Sequence, residues 1–245
     1  MKNIKGNYYH GFEVKSFIYK EREAFLIKPK VMLKDSKWIW RTEFLGGFDT
    51  VDIEMLNRGY YLAYYKIPNL YGSPEAVELM NDFYEMITSK FSLNKKVILF
   101  GFSRGALYAM NFAEKYANYV DSIYLDAPVL DIKSWPGGLF NGTGSRTDYH
   151  KCLKCYDLHT YNVFKFKSNP LDKLEFLIKH KIPLAIVAGD SDTVVPINEN
   201  ASILVNFCRK NDLPHMYIVK PGCNHHPHSL ADPMVIANFL DQREQ

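Results

Sequence analysis

Two spacings of apolar residues alternate along the chain, and each change of spacing marks an element. Phe12, Val14 and Ile18 lie at even steps, Ala24 to Ile27 supply a second apolar arm, and polar Lys20-Glu21-Arg22 separates the two. This pattern predicts a hairpin over residues 11–29. Residues 37–41 read as a further strand leading into a loop at 42–47. Val51, Met55 and Leu56 recur at helical spacing up to Gly59, a residue suited to the left-handed turn that ends a helix. The tyrosine-rich stretch 60–67 is predicted as a strand. Ser73-Pro74-Glu75 then signals a helix start, with an N-cap hydroxyl, a proline at the first helical position and an acid in the first turn. Its apolar face runs through Val77, Met80, Phe83 or Tyr84, and Ile87.

The second half repeats the rhythm. Val97-Ile98-Leu99-Phe100 is wholly apolar, as a strand covered on both faces must be. Ala106, Met110, Ala113 and Ala117 follow at helical spacing. Further strands are predicted at 122–125, 183–187 and 216–219, and helices near 197–210 and 232–242. Such alternation predicts an α/β architecture, a mostly parallel central sheet with helices on both faces. The stretch from about 131 to 181 breaks the rhythm with Trp-Pro-Gly-Gly, Asn-Gly and Gly-Ser turns. It is expected to be a small cap or insertion on a single domain spanning residues 1–245.

Candidate chemistry sits at the ends of those strands. Gly101-Phe102-Ser103-Arg104-Gly105 is a G-x-S-x-G motif between a buried strand and a helix. A nucleophilic serine on such a strained turn needs small neighbours, and the helix behind it directs its N-terminus at developing negative charge. A serine hydroxyl is a weak nucleophile without a base, itself oriented by a third group. Beyond Val187 comes Ala188-Gly189-Asp190-Ser191-Asp192-Thr193-Val194-Val195-Pro196, and beyond Val219 comes Lys220-Pro221-Gly222-Cys223-Asn224-His225-His226-Pro227-His228. Asp190 and Asp192 compete for the orienting role with Asp126, at the end of the preceding strand. His226 and His228 compete with His225 for that of base. The order serine, acid, histidine on successive strand ends points to nucleophilic hydrolysis.

The chain resembles the α/β-hydrolase superfamily over almost its whole length. G-x-x-D-x-x-V-P at 189–196 is similar to that family's acid loop and implies Asp192 as the acid; G-x-x-H-x-P at 222–227 is similar to its histidine loop and implies His225 as the base. Residues 38–44, Asp126-Ala127-Pro128, the segment 131–138 and His225-His226-Pro227-His228-Ser229-Leu230 resemble a bacterial branch related to prolyl-oligopeptidase-type and acetyl-esterase-type hydrolases. The resemblance implies a short-acyl, acetyl ester on a carbohydrate or other small polar alcohol, with no cofactor. The His-Gly dipeptide of many oxyanion loops is absent from 41–47; the backbone amide of Arg104 is expected to supply one oxyanion donor, and an amide within Arg41 to Leu45, with Phe44 the candidate, the second. Trp40, Arg41, Glu43, Trp135 and His226 are the expected substrate contacts. Glu43 is odd there, since a carboxylate beside an oxyanion opposes it. Trp135, in a Gly/Pro-rich loop, equally suits a hydrophobic plug beneath the cap.

Composition narrows the alternatives. The net charge is +3 with dispersed lysines, and no basic face of the kind that binds nucleic acid is visible. No apolar run reaches membrane-spanning length, and the first ten residues lack a signal-peptide core. Four cysteines in 245 residues do not make a disulfide framework, so a cytoplasmic setting is expected. His150, Cys152, Cys155 and His159 have metal-like spacing, but their setting reads as an amphipathic helix and no metal is expected. Cys223 lies near His225 but on no elbow. A peptidase, a non-catalytic binding protein and an acyltransferase remain alternative functions. Oligomeric state is not legible.

Overall fold

Every position of the strand Val97–Phe102 is buried, so both its faces must be covered, and the arrangement of the whole chain follows from that demand. The structure, a computed structural model, describes residues 3–241. Residue 242, the last of the predicted helix 232–242, lies outside the described residues, as do Met1 and Lys2. In chain order the strands are β1 (Ile4–Lys5), β2 (Tyr8–Tyr9), β3 (Phe12–Tyr19), β4 (Arg22–Ile27), β5 (Trp38–Arg41), β6 (Tyr61–Tyr65), β7 (Val97–Phe102), β8 (Val120–Asp126), β9 (Leu184–Gly189) and β10 (His215–Lys220). The helices are α1 (Thr50–Asn57), α2 (Pro74–Phe91), α3 (Gly105–Lys115), α4 (Arg146–Cys155), α5 (Glu175–His180), α6 (Ala201–Lys210) and α7 (Met234–Leu240).

The strands form one sheet in the order β1-β2-β3-β4-β6-β5-β7-β8-β9-β10. From β6 to β10 all pairings are parallel, and β1 to β4 form an antiparallel meander at the other edge. The β3–β4 hairpin turns through Lys20 and Glu21, both with positive φ (44° and 63°). Alternate residues of each parallel strand face opposite layers. Val97 and Leu99 join Trp38, Trp40 and the inner faces of α2, α3 and α6. Ile98, Phe100 and Phe102 join Ile39, α1 and α7. Helix α3 is buried from Gly105 to Ala113, because it lies at the centre of its layer. Helix α2 starts as its sequence dictates, with Ser73 Oγ accepting the Ala76 N–H.

The 131–181 segment holds α4, α5 and several single turns. Ile132, Tyr149, Cys152, Leu153 and Val163 form an apolar cluster of their own against Tyr71 and Leu107. At its end, α5 returns Leu177 to the main core. No helix among the described residues is long and apolar enough to cross a membrane.

Candidate active site

The functional side chains gather because parallel strands end on one edge. Ser103 follows β7, Asp126 ends β8, Asp192 follows β9 and His225 follows β10. Ser103 has φ of +50°, the strained turn expected of a nucleophile held clear of the sheet. Its N–H donates to the Asp126 carbonyl (2.9 Å), and its own carbonyl accepts from Ala106 and Val129 (3.1 and 3.0 Å). Gly101 is obligatory there, since a Cβ would lie 2.8 Å from Ala106 Cα and 3.0 Å from Ala109 Cβ.

Ser103 Oγ lies 2.9 Å from His225 Nε2, and His225 Nδ1 lies 2.7 Å from Asp192 Oδ2. The other Asp192 oxygen accepts the Val194 and Val195 N–H groups (2.9 and 2.8 Å), which hold the carboxylate in place. Asp190 is turned elsewhere, accepting from Ser191 Oγ and the Gly222 N–H. Asp126 binds a different histidine. Its carboxylate accepts His228 Nδ1 (2.8 Å), the Ser229 N–H (2.8 Å) and the Tyr124 hydroxyl (2.8 Å). Two buried His–Asp pairs thus stand side by side, with the His225 and His228 rings 5.0 Å apart and edge-on. The acid and histidine loops touch closely at Gly189, where a Cβ would lie 2.2 Å from the Cys223 carbonyl oxygen.

The hydroxyl of Ser103 faces a cleft of about 410 Å³ walled by Phe44, Phe48, Phe102, Trp135 and Val194, with His226 at its edge. His226 is exposed and stacks on Phe48, ring centroids 5.4 Å apart. Burial, with the neighbouring His228 and His225, holds its pKa below the ordinary histidine value. Trp135 lines the cleft and packs towards Tyr71 and the 131–181 cluster.

Two expected substrate contacts, Trp40 and Glu43, need correction, and Arg41 lies buried at the cleft wall. Trp40 is buried in the core on the α2/α3 side, against Phe83 and Phe112, and does not line the cleft. Arg41 reaches the cleft wall, but its fully buried guanidinium lies 3.8 Å from the Phe102 ring centroid. It donates to the Phe44 and Gly47 carbonyls and pairs with Asp52 at 3.5 Å, which ties it to the loop it starts. Glu43 is buried and turned onto Arg104, whose Nε and Nη2 donate to its two oxygens at 2.9 and 2.8 Å. Burial pushes the Glu43 pKa up, against the pull of Arg104. The third arm of Arg104 donates to Asp148 in α4 (3.2 Å), which also accepts from Tyr71 and Ser145. The guanidinium lies between the Phe44 and Tyr71 rings. This resolves the anomaly of Glu43, since its charge is turned away and neutralised. Backbone N–H groups at Arg104, beside the N-terminus of α3, and at Phe44, where φ is +62°, border Ser103 and the cleft respectively.

Cys152 is packed in the 131–181 cluster, and the Cys155 thiol donates to the Asn69 carbonyl. Among the described residues the potential metal ligands that converge are instead His225, His226 and His228, with nitrogens within 4.8 Å of one another. The spacing His-His-x-His was the signal for that cluster.

No protein-family model and no curated protein matches the chain. Solved structures do. A puromycin-hydrolysing peptidase of Mycobacterium tuberculosis superposes with a TM-score of 0.71 and 10% identity, over 97% of this chain and 39% of its own. Dipeptidyl peptidase 4 of Porphyromonas gingivalis gives 0.65 and 14%, over 94% and 35%. A Thermoplasma acidophilum protein, predicted to be a CIB-like hydrolase, gives 0.56 and 14%, over 94% and 96%. The chain has the α/β-hydrolase fold. It spans little more than a third of the length of the two peptidases. Within the α/β-hydrolase fold, loops beyond the strand C-termini carry the nucleophile, acid and histidine in that order. Ser103, Asp192 and His225 occupy those loops here.

Proposed function

We propose that this protein is a serine hydrolase that cleaves a carboxylic ester through an acyl-enzyme. The observation that carries the reading is the unbroken Ser103–His225–Asp192 hydrogen-bond chain at the floor of an open cleft. Asp192 accepts the His225 Nδ1–H and so fixes the tautomer that leaves Nε2 free to take the Ser103 proton. The serine oxygen attacks the ester carbonyl, and the Arg104 and Phe44 amides receive the negative charge. Protonated His225 then donates to the departing alcohol. Water repeats the sequence on the acyl-enzyme, with His225 again the base. Side chains handle every proton, so the reaction needs no cofactor.

The finer reading is a short acyl group, acetyl, carried on a carbohydrate or other polar alcohol. Flat rings at Phe44, Phe48 and Trp135 suit the C–H faces of a sugar, and the His226 edge offers hydrogen bonds to its hydroxyls. A peptidase is the second reading, favoured by the peptidases among the solved structures that share this fold. A cytoplasmic setting suits the four free cysteines. The test is fluorophosphonate labelling with the adduct located by mass spectrometry, alongside rates on p-nitrophenyl acetate, p-nitrophenyl octanoate, an acetylated oligosaccharide and dipeptide amides. An adduct on Ser103, acetate preferred over octanoate and acetate release from the saccharide are expected. Labelling elsewhere would defeat the serine mechanism. Cleavage of amides without deacetylation would make it a peptidase.

A further inference from the structure

We propose that the nitrogens of His225, His226 and His228 form a binding site for Zn²⁺ or a similar imidazole-preferring dication, and that its occupation switches the hydrolase off. The regulatory half rests on the serine hydrolase reading above; the binding half does not.

Three features build the site. First, the three side chains supply nitrogens within 4.8 Å of one another at the edge of the cleft. Tetrahedral Zn²⁺ with bonds of about 2.0–2.1 Å sets its nitrogens about 3.3 Å apart, so the widest pair must close by about 1.5 Å. His226 is exposed, on a loop rim where such a movement meets solvent. Second, two of the three rings are already anchored as metal ligands are. His225 Nδ1 is held by Asp192 and His228 Nδ1 by Asp126, both carboxylates buried. Carboxylate–imidazole pairs of this kind fix the tautomer and leave the Nε2 lone pair to bind the ion. Third, the donor set is all imidazole. It suits zinc, copper or nickel and offers nothing to magnesium or calcium, which require oxygen.

Inhibition follows from counting lone pairs. With its Nδ1–H given to Asp192, neutral His225 has one lone pair, on Nε2. That lone pair either accepts the Ser103 hydroxyl at 2.9 Å or binds the metal. It cannot do both, so the metal-bound form has lost its base. No bond is made or broken in the substrate, and removal of the ion restores the triad.

The experiment titrates ZnCl₂ into the chelator-treated protein by calorimetry and measures p-nitrophenyl acetate hydrolysis over the same range. One Zn²⁺ per chain is expected, with hydrolysis abolished in step and restored by EDTA, and with MgCl₂ inert. Ser103→Ala removes the competing hydroxyl and should bind zinc at least as tightly as wild type, so binding is read even if the chain is no esterase. His226→Ala and His228→Gln should each weaken zinc binding by at least the ~10–100-fold that loosening a ligand's support costs. Each variant's inhibition is scored against its own chelator-treated rate, and exposed His226 can be replaced with little risk to folding. Absence of stoichiometric binding, equal binding by wild type and both histidine variants, or activity lost in EDTA and rescued by zinc would overturn the proposal.

Discussion

Replacing Arg104 by Met keeps the backbone amide after Ser103 but removes the guanidinium that joins the 41–47 loop to α3 and α4. The larger consequence falls on Glu43, which is 3% exposed and loses both charge-assisted hydrogen bonds. Asp148 keeps its bonds from Tyr71 and Ser145 and is partly solvated, so its loss is small. Breaking a buried pair from one side costs about 3–5 kcal/mol. Because Arg104 is itself partly solvated, we expect about 3 kcal/mol, or about 6–12 °C in Tm for a chain of this size. The double variant Arg104→Met/Glu43→Gln removes the orphaned charge and should recover about 2 kcal/mol of that loss, within the range of measured couplings. A pH dependence must accompany the single variant. Burial already raises the Glu43 pKa, and without Arg104 it rises further. Native protein then binds a proton that unfolded protein has released, so stability falls as pH increases from the ordinary glutamate value to the raised one. Urea unfolding at pH 4.5 and 8 measures both effects. Additive single and double variants, or a pH-independent loss, would refute the clamp.

Asp192→Asn should lower kcat by ~10⁴ with geometry intact, whereas Asp190→Asn should leave it within a few fold; steady-state kinetics on p-nitrophenyl acetate compares them. Ser103→Ala should lose ~10⁶ in kcat, since the members of a triad act as a unit. Gly189→Ala would set a methyl 2.2 Å from the Cys223 carbonyl oxygen, where both partners are backbone. It should cost about 1–3 kcal/mol by overpacking and depress kcat by moving the acid and histidine loops apart, read by thermal melts beside kinetics. Burial pushes the Asp52 pKa up to about 6 against the neighbouring Arg41. Wild type should therefore lose stability through this group as pH rises from about 4 to 6, and Asp52→Asn should remove that part of the slope.

Strand–helix alternation was readable because each element buries one recognisable face. The loops that bring Ser103, Asp192 and His225 together were readable because strand ends and turn glycines mark them. Trp40 was not. Trp38, Ile39 and Trp40 are all apolar, as in a strand covered on both faces, so nothing in them says which side chains face α1 and which face α2. Glu43 was misassigned for a different reason: its partner Arg104 is 61 positions away and the pairing depends on how the loop folds back. The His228–Asp126 pair spans 102 positions, beyond any local pattern. Strands β1 and β2 escaped notice because two-residue strands have no periodicity to detect. Helix α3 ends at Lys115, and Ala117, predicted on its face, starts a separate turn yet is still buried.

The hairpin tip at Lys20 and Glu21 offers something to the protein engineer. Both residues are exposed and hold a left-handed conformation that glycine or asparagine adopts more easily. The tip is four strand spacings from β7, about 19 Å across the sheet. Lys20 makes a surface ion pair with Asp82, of a kind that contributes little, while the adjoining Tyr19 is hydrogen-bonded to Asp82 and Tyr65. A label, tether or guest domain spliced between these two residues would relieve backbone strain where it enters. It would also hang from the half of the sheet that carries none of Ser103, Asp192 and His225.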